Sequence, residues 1–178
     1  MAIQNVLPLS VGKSSTNADL ATKLGELYEK PNAGSPGAKI YRLVKNGSSG
    51  TLTKNQLLIT GLTLGVPTWV VTTTTTARLT TVAGVVPADF GSDTIADGAY
   101  FLLQVDGPAL VNMALTTSSI TSAITALTTS TAAGMAQEIA TTSTPTIYDQ
   151  GAVFGKAMAS GSMSTAGTAA ACIIQGLL

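Results

Sequence analysis

The sequence has no histidine in its 178 residues. That absence removes Ser-His-Asp and Cys-His nucleophile systems, imidazole acid–base catalysis and every His-ligated metal site. Charge is scarce as well: nine basic and nine acidic side chains make up 10% of the chain, against roughly 25% in an average soluble domain. Without clustered Lys and Arg to displace counterions, no nucleic-acid partner is expected. Cys172 stands alone, so no internal disulfide can form. Its neighbours Ala171, Ile173 and Ile174 mark it as a small buried hydrophobe rather than a reactive thiol. Long apolar runs are missing too. Leu57 to Val71 is broken by Gly61, Gly65 and Pro67 and falls short of the ~20 residues a membrane helix needs. Met1 to Ser15 lacks an early positive charge followed by an apolar core, so the expectation is a protein made and kept in a cytosol, or assembled there, with no membrane partner.

What is present is small and β-branched: 28 threonines, 25 alanines, 18 glycines and 15 serines, beside 44 Leu, Ile, Val and Phe. A neutral chain that is about one-quarter strongly apolar folds and buries a core. The zero net charge hides an asymmetry. Residues 1–78 carry eight of the nine basic groups and three acids, a net of +5, and residues 79–178 carry Lys156 and six acids, a net of −5. Halves of opposite sign can attract between copies, although each exposed pair contributes only ~0–1 kcal/mol.

Along the chain, residues 1–36 read as an irregular arm punctuated by Ser, Asn, Pro and Gly, with one short helix capped by Asn17 and carrying Asp19, Leu20 and Leu24. Glu26 to Lys30 either continues that helix or starts a hairpin that returns through Lys39 to Lys45. The return alternates Ile40, Arg42 and Val44 with Lys39, Tyr41, Leu43 and Lys45 and stops at Asn46-Gly47, which marks a strand. Short runs at the spacing of an all-β sandwich or barrel follow: Leu57 to Thr60, then Trp69 to Val86 including Thr72 to Thr76, with Trp69 expected to pack. Ala99 to Val105 is expected to end at Asp106-Gly107-Pro108, because proline cannot donate to a central ladder. Ala109 to Leu115 resumes the β pattern. In Thr116 to Thr131 Ile120, Ile124 and Leu127 have helical spacing, but seven threonines favour strands. Met135 to Ala140, Gly151 to Met158 and Ala170 to Leu178 close the series, with a turn at 159–167.

The chemical motifs are incomplete. Gly12-Lys13-Ser14 resembles the tail of a phosphate loop, but Leu7 stands where its first glycine belongs. Asn46-Gly47-Ser48 matches a glycosylation acceptor, which matters only in a secreted chain. Asp89, Asp93 and Asp97 lack the one-residue alternation of a calcium loop, leaving at most a weak cation site. Neither catalysis, a cofactor nor a resident metal is expected.

Gly37 to Lys45, Asp97 to Ala109, Leu127 to Gln137, Val153 to Met158 and Ile173 to Leu178 together resemble the head decoration, or cement, proteins of tailed bacteriophages, over roughly residues 25–178. The resemblance implies a compact all-β domain, a β-barrel or β-tulip of short antiparallel strands spanning 37–178 behind the 1–36 arm. It also implies a structural virion protein, often a homotrimer, that sits on the outer capsid surface and reinforces contacts between major capsid proteins after assembly in the host cytoplasm. A phage fibre or adhesin module facing the host is the alternative. The basic residues Lys13, Lys23, Lys30, Lys39, Arg42 and Lys45 are the candidate interface with an acidic partner surface.

Overall fold

The computed structural model describes residues 3–4, 6–31, 38–63, 66–76, 81–114, 126–139, 153–158 and 167–175. The protein is all-β, with twelve strands and two short 3₁₀ helices among the described residues. Its spine is the antiparallel pair β4 (Ala38–Asn46) and β8 (Tyr100–Asn112), in register from Ile40 opposite Asp106 to Lys45 opposite Tyr100, with one bulge after Ile40. Both faces of this pair are covered. Tyr41, Leu43, Tyr100 and Leu102 face one side, while Val44, Phe101 and Leu103 face the other. A strand buried on both faces becomes a continuous apolar run, and β8 shows this in Tyr100-Phe101-Leu102-Leu103-Gln104-Val105, all buried.

Two closed circuits of strands share β8. In the first, β4 pairs with β6 (Val66–Thr72), β6 with β5 (Leu57–Thr63), β5 with β7 (Val82–Val85), β7 with β8, and β8 with β4. The β7–β8 link is one residue pair, Val85 with Gln104, and β4–β6 is parallel, so this circuit is less regular than the expected antiparallel barrel. All five strands feed one core, through Val44, Leu58, Val71, Ala83, Phe101 and Leu103, and Phe90 meets Phe101 edge to face at 6.2 Å. In the second, the far half of β8 pairs with β12 (Ala169–Ile174), followed by β11 (Gly155–Ala157), β9 (Ala126–Thr129) and β10 (Ala136–Glu138). A parallel bridge from Ala136 to Met113 returns to the end of β8. Its core holds Val111, Leu127, Phe154, Cys172 and Ile174.

The leader forms a third layer. β2 (Ser14–Ser15) pairs with β8, β3 (Leu27–Pro31) pairs with β4, and β1 (Ile3–Gln4) runs parallel to β3. Asn17 caps the 3₁₀ helix Ala18–Lys23 by accepting from the Asp19 N–H, and Leu20 packs on Tyr28, Tyr41 and Tyr100. Of the two readings of Glu26 to Lys30, the strand is found. Residues 27–31 of the stretch read as an arm are therefore a sheet strand.

Three expectations change. Asp106-Gly107-Pro108 does not end the strand: β8 runs 13 residues through it. Gly107 adopts φ +89, and the Gln104 amide donates to the carbonyls of Asp106 (3.2 Å) and Pro108 (2.7 Å), while the Asp106 carboxylate accepts the Gly107 N–H at 2.9 Å. These bonds satisfy the bend, and β8 exchanges β4 for β12 there. The threonine run leaves the sheet after Thr72, because Leu57, which would extend the ladder to Thr74, donates its N–H to Gly134 instead. The strands are neither all short nor all antiparallel, since β1–β3 and β4–β6 are parallel. The expected strand in 116–125, the hairpin loop 32–37, Leu79 to Thr80 and the turn across 159–166 lie outside the described residues.

A Cβ on Gly107 would stand 2.7 Å from the Ala38 carbonyl oxygen in a dihedral region that L-residues avoid. Gly107→Ala is expected to cost at least about 1–3 kcal/mol from backbone strain alone. Thermal unfolding should then show a Tm lower by roughly 3–10 °C.

Candidate interaction surface

The six candidate interface residues fall into three environments. Lys13 is spent within the chain, where its ammonium meets Asp93 at 3.0 Å with both side chains mostly exposed. This contact ties the leader to the 89–97 loop across a cleft of about 520 Å³ bordered by Gly12, Ser14 and Thr94. With Lys13 held by Asp93 and Ser14 in β2, the Gly12-Lys13-Ser14 stretch is built as a leader-to-sheet joint. Asp97 accepts the Ser49 N–H at 3.1 Å, and among the described residues no three His, Cys, Asp or Glu side chains gather into a metal-binding group. Asn46, of the glycosylation-like triplet, is fully buried. Its amide donates to the carbonyls of Gly50 and Ile95 and accepts the Ser48 N–H, so it is a structural hub.

Arg42 and Lys45 are engaged with aromatic rings. Arg42 is 4% exposed, and its guanidinium carbon lies 3.9 Å from the centroid of Trp69. Burial pushes its pKa below the usual arginine value. Lys45 stands over Tyr100 at 5.7 Å, a longer version of the same attraction. Trp69 itself is strained, with φ +55, a region bulky residues rarely enter. The register explains it. Thr60 pairs with Val71 and Leu62 with Pro67, so Gly61 alone on β5 opposes Thr68, Trp69 and Val70 on β6, a bulge that redirects the indole. The ring packs against Gly25, itself at φ +86, leaving no room there for a Cβ. Trp69 packs, as expected, but its partnership with Arg42 is not foreshadowed by the linear pattern. The nearest signal is one tryptophan beside a glycine–proline-punctuated strand pair.

Lys23, Lys30 and Lys39 remain on the surface. Lys23 and Lys30 are exposed and Lys39 is half-buried. Lys23 occupies the last turn of the 3₁₀ helix, where its charge complements the helix end. Lys30 and Lys39 are placed directly opposite each other on β3 and β4.

Three buried ionisable groups are held in their protonated, neutral form. Burial pushes the Cys172 thiol up to about 12, so it stays protonated and unreactive near neutral pH. Tyr28 is held well above the ordinary phenol range by burial, then by the hydrogen bond and charge of Glu26, to which its hydroxyl donates at 2.5 Å. Burial, then the charge of Asp89, does the same for Tyr41.

No family model matches this chain, and no curated protein does. Among solved structures, the N base of head fiber gp8.5 of bacteriophage phi29 is similar at 14% identity and a TM-score of 0.45, covering 76% of this chain and 94% of that one. A likeness of that degree carries no inference about function.

Trp69 is the single tryptophan, so its fluorescence reports this nook alone. Gly25→Ala forces the indole away from Arg42 and strains a positive-φ residue. The expected outcome is a changed emission maximum together with a loss of about 1–3 kcal/mol in denaturant unfolding.

Proposed function

We propose that this protein is a structural component of a tailed-phage virion, binding the outer surface of the capsid and stabilising contacts between major capsid proteins, without catalytic activity. The observation that carries the reading is where the family-like residues fall. Gly37 to Lys45 and Asp97 to Ala109 supply about half of the residues that carry the resemblance to capsid cement proteins, and 38–45 and 100–109 of them lie in β4 and β8, the pair that joins the sheet's circuits. A resemblance in the central pair speaks for the body of the fold rather than for one loop.

The physical character of the body supports the same role. Two cores and a leader layer tied to one spine make a rigid part, and a formal net charge of zero lets many copies crowd without mutual repulsion. The surface lysines Lys23, Lys30 and Lys39 supply positive points for an acidic partner surface, of the shell or of an adjacent copy, and rim charges of this kind guide and orient docking. Lys13, Arg42 and Lys45 act inside the molecule and leave that surface to the other three.

The test compares particles with and without the protein under heating, with release of the packaged nucleic acid read by dye binding. Particles carrying it are expected to survive to a temperature several degrees higher. Unchanged stability with lost attachment to host cells would replace the cement role with that of a fibre or adhesin.

A further inference from the structure

The tip of the β3–β4–β8 strip separates charge by face. Residues directly opposite in an antiparallel ladder share a face, and successive residues alternate. Lys30 lies opposite Lys39 on the face that carries Tyr28 opposite Tyr41. On the reverse face, Ile40 stands between Glu29 of β3 and Asp106 of β8, one strand to each side. With strands ~4.8 Å apart, the two acids flank Ile40 at a separation of about 10 Å. Lys30 is exposed, and Lys39, Glu29, Ile40 and Asp106 are half-buried. Among the described residues the Lys13–Asp93 ion pair involves none of these four charges, and Asp106 accepts only the neutral Gly107 N–H at 2.9 Å.

Like charges placed directly opposite weaken a strand pair, and among the described residues the cross-strand lysines have no ion-pair partner. The acid pair on the other face has the opposite sign, and its two carboxylates straddle the strip at about twice the one-strand spacing of the lysines. We infer that this tip is a contact between copies: the Lys30–Lys39 row of one molecule faces the Glu29–Asp106 row of the next. Because the two rows lie on opposite faces, the contact is head-to-tail, which closes into a ring or extends as a chain according to the rotation between copies. The zero net charge of the chain leaves no overall repulsion to oppose it. The contact deepens the virion reading and rests on its premise that copies stand side by side. It is tested on the isolated protein, so its failure is separate from a failure of particle binding.

The test is light scattering and sedimentation of the purified protein across concentration and ionic strength. Wild-type protein is expected to self-associate at low salt and to dissociate as salt rises toward about 0.5 M, where charges more than a few ångströms apart are screened. Lys39→Glu removes the basic row and places a carboxylate opposite Lys30. It should therefore weaken association about tenfold or more while leaving the Tm unchanged or raised. Lys39→Gln, which only removes charge, should fall between the two. Lys30→Glu/Lys39→Glu mixed with Glu29→Lys should associate more strongly than either variant alone, each supplying the sign the other has lost. A monomer under all conditions, association of Lys39→Glu equal to wild type, or failure of the mixture would overturn the inference. So would salt-insensitive association, which would assign the self-contact to the exposed apolar strip of Leu110, Met158 and Ile173.

Discussion

The bend at Gly107 lets one strand belong to two cores. Up to Asp106, β8 is held by β4 and closes the first circuit; from Gly107 onward it is held by β12 and opens the second. A straight strand could serve only one set of neighbours, and a broken one would leave two small cores without a common wall. The side chain of Gln104 makes the bend affordable by bonding to carbonyls on both sides of it. Gln104 is 2% exposed, and its buried amide nitrogen is employed twice, as buried polar groups require. Two cores sharing a strand resist being pulled apart separately.

The leader follows from the same spine. Since β4 and β8 are apolar on both faces, the face turned away from the first core needs a cover. Leu7, Val11, Leu20 and Leu24 supply it. The aromatic residues beneath, Tyr28, Tyr41 and Tyr100, are themselves buried, and Tyr28 satisfies its hydroxyl through Glu26. The Lys13–Asp93 contact adds a weak exposed tie, worth at most about 1 kcal/mol. Burial of the leucines and the strand pairing of residues 27–31 therefore dominate over charge in holding residues 6–31 to the body.

Much of this was legible in composition and alternation. The all-β class follows from β-branched residues between Gly and Pro turns, β4 from its alternation up to Asn46-Gly47, the helix cap from Asn17 before Asp19, and the burial of Cys172 from its apolar neighbours. The parts that were not legible depend on distant partners. Asp106-Gly107-Pro108 reads as a stop because proline lacks a donor, and only Gln104 and β12 turn it into a bend. Thr73 to Thr76 have strand propensity, yet Gly134 takes the N–H their ladder would need. Arg42 looks like a surface cation on an alternating strand, and only the bulge at Trp69, set by the register of β5 against β6, places an indole under it. Lys30 and Lys39 were visible as charges, but their direct opposition required the hairpin register.

The reading of this molecule as an external capsid part is tested most directly by locating it. Electron cryo-microscopy of particles that carry the protein should show compact density of its size on the outside of the shell, bridging neighbouring major capsid subunits. Density confined to the tail or to projecting fibres, or its absence from the particle, would contradict the account.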